Sequence, residues 1–257
     1  MRWESFLLLL VMATFLIPVN RWFSRRVQGL SLLIFGNGTA ATCLYAILML
    51  PGTLIHELSH FFAAKVLGVR TGRISLVPQV SDDGNSMTLG TMQVGETDTV
   101  RASLIGLAPL LAGSVLLVSL VQWGLGVTIL TASAEGGIPG IGHLPALQRS
   151  WLWLYLLLVI GNSMFPSRSD RRPWLAMGIY MGILLSTAAL GLGMTGILPK
   201  LLASPPARRA AVLVENVVRS LTLAFIYTLL VDLSVGGALW MLEKLVGKLL
   251  GRSIVRR

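Results

Sequence analysis

Charge is what this sequence has least of. Only 12% of its 257 residues are charged, where a soluble globular domain usually carries about 25%. Hydrophobic residues make up 54%, and the mean hydropathy is +0.75. That scarcity excludes an ordinary soluble fold and makes the bilayer the expected solvent. Cysteine is nearly absent. The single Cys43 excludes an internal disulfide and any cysteine-based metal site, and is read as a small apolar residue in a helix. Histidine numbers 3 and Asp plus Glu 11, so any metal centre has few candidate ligands. There is no internal repeat and no low-complexity tract. A cleavable leader is not expected either. Glu4 sits where a basic region would lie, and Asn20-Arg21-Trp22 follows the first apolar run in place of a small-x-small site.

The charge that is present is basic, with a net of +10 and a pI near 10.8. Arg21, Arg25 and Arg26, then Arg168, Arg171 and Arg172, then Arg252, Arg256 and Arg257 cluster beside apolar runs. Juxtamembrane anchors are distributed this way, so the expected partner is the lipid bilayer and not nucleic acid.

The pattern along the chain predicts an all-α polytopic membrane protein. About six transmembrane helices and a small membrane-associated β-hairpin are expected. The first span is read over Ser5 to Val19 and ended by Pro18, with a basic linker after it. Asn37-Gly38-Thr39 matches a glycosylation sequon but is read as a helix start. A second run covers Thr39 to Leu67, where Pro51-Gly52 should loosen the helix. Ile74 to Val80 and Met87 to Val94 read as strands around turn chemistry at 81–86. A third span, Ala102 to Trp123, opens on small residues that favour close packing. A glycine-rich loop (124–149) and a short fourth span, Trp151 to Met164, follow. The fifth span is Trp174 to Leu198 and the last is Val212 to Met241, followed by a basic tail. With the N-terminus inside, the larger basic share falls inside: Lys65, Arg70, Arg73, Arg101, the Arg168 cluster, Lys244, Lys248 and the tail. Arg21, Arg25, Arg26, Arg149, Lys200, Arg208 and Arg209 fall outside.

The chemistry lies in His56-Glu57-Leu58-Ser59-His60. At i and i+4 on a helix, His56 and His60 share a face, about 40° apart around the axis. Two such imidazoles can hold one zinc ion. Glu57, beside the ion's open position, can take a proton from water whose pKa the ion lowers. Ionisable residues at ligand spacing in an apolar span are costly and point to function. A third ligand is needed. Asp170 stands out, at the end of the short fourth span and on the side where the motif helix ends. His143 is the rival, in the loop assigned to the opposite face. Asp232, deeper in the last span, is read as a structural polar contact.

The run from His56 through Val69 resembles the active-site helix of the site-2 protease family of intramembrane zinc metalloproteases. Gly106-Leu107-Ala108-Pro109 resembles that family's Gly-Pro stretch. Asn162 with Asp170 is similar to its Asn…Pro…Asp-Gly motif. The resemblance covers about residues 45–172. It implies that Asp170 is the third zinc ligand and that Asn162 assists at the substrate. It also implies a hairpin that pairs with an unwound substrate strand. Arg171 stands where the family has Gly, and Pro166 sits one place late. The expected organisation is therefore an N-terminal span and linker (1–37), a metalloprotease core with the hairpin at 71–97 (38–172), and C-terminal spans and tail (173–257). The segment between the second and third spans is too short for a PDZ or nucleotide-binding domain. The expected activity is hydrolysis of a peptide bond in a transmembrane segment of a membrane protein, with Glu57 as general base. The expected location is a bacterial plasma membrane, with the active site towards the cytoplasmic side. The rival readings are an inactive scaffold of the same fold that binds transmembrane helices and, ranked last, a transporter.

Overall fold

A computed structural model describes residues 3–76, 79–80, 87–88, 90–124 and 147–251. The expected turn at 81–86, the glycine-rich loop at 125–146 with its His143, and the tail at 252–257 lie outside the described residues.

The chain is an all-α membrane protein with a small β-hairpin. Its helices are α1 (Trp3–Phe35), α2 (Gly38–Val66), α3 (Thr99–Ser119), α4 (Leu147–Ser163), α5 (Arg168–Arg171), α6 (Trp174–Met194), α7 (Ile197–Ala203) and α8 (Pro205–Leu250). A π-helical turn, Leu120–Gly124, extends α3. Among the described residues, five helices are long and apolar enough to cross a membrane, and Trp151–Ser163 is a shorter apolar helix. Their surface is what lipid requires, since large apolar side chains stand exposed along every long helix. On α6 no residue is buried.

Between α2 and α3 the chain forms the expected hairpin. Strands β1 (Thr71–Ser75) and β4 (Thr91–Val94) pair antiparallel, with Ile74 opposite Met92 and an irregularity between Thr71 and Ile74. Strands β2 (Gln79–Val80) and β3 (Met87–Thr88) pair antiparallel further out. Gly68, at φ +70°, turns the chain from α2 into β1.

Asn37 caps α2 as the helix start read from the sequence. Its backbone is extended (φ −132°), and its side chain accepts from the Thr39 N–H at 2.8 Å. The N-terminal segment differs from expectation. Pro18 does not end a helix, and no linker follows, because α1 runs 33 residues through Pro18 and the arginines. Proline removes one helical hydrogen bond. Burial of Leu16, Phe23 and Val27 on the flanking turns outweighs that loss. The most extensive helix–helix contact is α1 on α8. There Arg26 leaves the surface, donates to Glu243 at 3.0 Å and lies over the Trp22 ring. Arg21 and Arg25 stay exposed.

A Cβ on Gly236 would collide with the Trp22 ring, while Arg26 reaches Glu243. Residue numbers thus rise together, and α1 and α8 run in the same direction. Six strictly alternating spans would make the first and last antiparallel. The inside and outside assignment drawn from the basic residues assumed that alternation and does not fit this packing.

The main core gathers Leu16, Phe23, Met49, Leu117, Leu157 and Phe225, so it lies among α1, α2, α3, α4 and α8. The motif helix α2 is held between α3 on one side and α4 on the other.

Candidate metal centre

Two close contacts set the geometry around the motif, one on α2 and one on α3. A Cβ on Gly52 would collide with the Val159 carbonyl oxygen and the Ser163 hydroxyl. The bare glycine therefore lets α4 lie directly against α2, one turn before His56. On the other side, a Cβ on Gly106 would collide with the Asp170 carbonyl oxygen. That glycine lets the segment after α4 lie against α3.

A free backbone carbonyl stands at each motif histidine. His56 Nδ1 lies 2.7 Å from the Ser163 carbonyl oxygen. Ser163 is the last residue of α4, where carbonyls lack an intrahelical partner. His60 Nδ1 lies 2.9 Å from the Ile105 carbonyl oxygen. In a regular helix that oxygen would accept from the residue four positions on, which is Pro109, inside α3 and without an N–H. A carbonyl oxygen only accepts, so both rings donate from Nδ1, and in the neutral form each presents Nε2 as a lone pair.

These two Nε2 atoms stand 3.2 Å apart, with the rings edge to face at 81°. Two neutral lone pairs aimed at one another are unfavourable, and a shared cation resolves the conflict. Asp170 completes the group. Its Oδ1 is 3.5 Å from His60 Nε2 and its Oδ2 is 3.7 Å from His56 Nε2. Among the described residues, His56, His60 and Asp170 form a group whose ligand atoms all lie within 4.8 Å of one another. Ligands at about 2.0–2.2 Å from a tetrahedral ion stand roughly 3.3–3.6 Å apart. The donor set fits a metal ion, with the fourth direction open.

Arg171 and Pro166 leave this geometry intact for a local reason. Phe165-Pro166 ends the run of α4, and Ser167 caps the short helix α5 with a capping box. Asp170 Oδ2 accepts from the Ser167 N–H at 2.7 Å and from its hydroxyl at 2.6 Å. The carboxylate is thereby oriented, with Oδ1 left towards His60. Arg171 folds back to the Ser167 carbonyl at 3.3 Å and stays out of the site.

Glu57 is buried at 5% exposure. It lines a cavity of about 860 Å³ that also takes in His56, His60, Asp170, Asn162 and the β4 residues Thr91 and Met92. Gly90 lies against its side chain. A Cβ there would stand 2.8 Å from Thr53 Cγ2 and 3.0 Å from Glu57 Cγ. The hairpin therefore roofs the acid.

Asn162 lies on the cavity wall, one residue before the Ser163 that holds His56. It joins a polar cluster that sequence reading missed. Asn20 donates to the Asn162 carbonyl at 2.8 Å, and Ser24 links Asn20 to Tyr45. Asp232, at 1% exposure, accepts from Asn162 at 2.8 Å. The available signal was a polar side chain inside an apolar run, which Asp232 is and Asn20, at the end of its run, is not.

No protein-family model, curated protein or solved structure matches this chain.

Proposed function

We propose that the chain is an intramembrane zinc metalloendopeptidase of the site-2 protease kind, cutting a peptide bond in a transmembrane segment of a membrane protein. The observation that carries this reading is the convergence of His56, His60 and Asp170 beside a buried Glu57, within helices apolar enough to cross a membrane. Nitrogen and carboxylate donors in a group of three suit zinc with one position open.

When bound, zinc would supply Lewis acidity for the scissile carbonyl and for water. The chain's own residues do the rest. Carbonyls of Ser163 and Ile105 keep both imidazoles in the ligating tautomer. Ser167 keeps the Asp170 carboxylate turned towards them. Glu57 takes the proton of the attacking water on its carboxylate and passes it to the departing amine nitrogen. The hairpin roof over Glu57 limits bulk water, so charge that develops there is weakly screened. An extended substrate backbone would add to the hairpin edge beside the cavity, which gives contact independent of sequence. A transmembrane helix must unwind locally to present that backbone.

The test is cleavage of a transmembrane reporter by the purified protein in liposomes, for the wild type and Glu57→Gln. Glu57→Gln should retain one zinc per chain and lose at least about 10²-fold in rate. Cleavage by Glu57→Gln at the wild-type rate would overturn the reading.

A further inference from the structure

The Asn162 amide is fully committed on one side. Its Nδ2 donates to the Leu158 carbonyl at 2.8 Å and to Asp232 Oδ1 at 2.8 Å. An amide nitrogen has two hydrogens, so both are used. The other end of the amide is not. Asn162 Oδ1 is buried and has no hydrogen-bond partner, although the residue lines the cavity of the candidate metal centre. An unpaired buried acceptor costs stability. The exchanged rotamer would turn Oδ1 onto two other acceptors, which is worse. Asp232 comes from α8, outside the helices that carry the ligands, and is among the most deeply buried polar residues of the fold.

We propose that Asp232 is a positioning residue: with the Leu158 carbonyl it takes both hydrogens of the Asn162 amide and so fixes that side chain in the cavity wall, leaving the covered Oδ1 as its one free acceptor for a backbone N–H once a bound segment opens the packing over it. Asn162 in this state has no hydrogen left for an oxyanion. Its contribution is to hold the chain being cut. The inference rests on the reading of the cavity as the place of a substrate backbone, and it gives α8 a part in the site.

Two readouts on the full chain in micelles test it. The first needs no catalysis: hydrogen exchange of the Asn162 side-chain amide in asparagine-¹⁵N-labelled protein, with its signals identified by their loss in Asn162→Ala. Asp232→Leu should speed that exchange about tenfold or more, since it removes one of the two hydrogen bonds that hold the amide. Asp232→Asn keeps an acceptor oxygen and should stay within about twofold of the wild type. The second readout is reporter cleavage. Asp232→Leu should raise KM about tenfold with kcat within about twofold, and should add nothing in an Asn162→Ala background. Wild-type exchange in Asp232→Leu, or an undiminished KM effect in the Asn162→Ala background, would overturn the proposal. If the wild type cuts no reporter, the protease reading falls, and the amide exchange still decides the role of Asp232.

Discussion

Pro109 shows how much of the site rests on a group that is missing. Its absent N–H leaves the Ile105 carbonyl for His60 Nδ1, at 2.9 Å. Pro109→Ala restores an N–H that competes for that oxygen. Helix propensity favours Ala over Pro by about 3 kcal/mol, so the variant should unfold at the same temperature or higher. Its zinc affinity should nevertheless fall about 10–100-fold, as for other lost partners of a ligating histidine. Competition with a calibrated chelator measures the affinity and a thermal melt the stability. Unchanged affinity would remove this role. At this scale the sequence was informative about ligands and silent about their supports. The i, i+4 histidines and Glu57 are a local pattern. The departures at Arg171 and Pro166 could not be resolved from the sequence, because a capping box on α5 and a backfolded Arg171 side chain are what reconcile them. Asp232 read as a polar contact without a named partner, because nothing local ties it to Asn162.

At the scale of elements, three glycines decide how closely the parts of the site approach. Gly52 admits α4, Gly106 admits the Asp170 segment, and Gly90 admits the hairpin to Glu57. Gly106→Val should push Asp170 away from α3. Overpacking of this kind costs about 1–3 kcal/mol, so the melting temperature should drop and zinc should be lost together. Gly178→Val on α6 meets nothing within 4 Å and should change neither. Equal behaviour of the two variants in melting and metal analysis would refute this account of packing. The hairpin and the motif helix were legible because their periodicities are strong. The first helix was misread for a physical reason. A local rule about Pro18 gave way to burial along α8, a contact between the two ends of the chain that no sequence window contains.

For the whole molecule, apolar composition made the membrane class legible, since scarce charge and long apolar runs are properties of the whole chain. The direction of α8 relative to α1 was not legible, because counting alternate spans ignores which helices pack together. The packing sets the last helix beside both α1 and α4. The most direct measurement is mass spectrometry of fragments from a single-span reporter incubated with the protein in liposomes made in H₂¹⁸O. The account predicts a cut inside the apolar segment, one ¹⁸O in the new carboxyl group, and loss of both products with Glu57→Gln or after zinc chelation, with return on adding zinc. Intact reporter with fully zinc-loaded wild-type protein, or fragments that persist in Glu57→Gln, would contradict it.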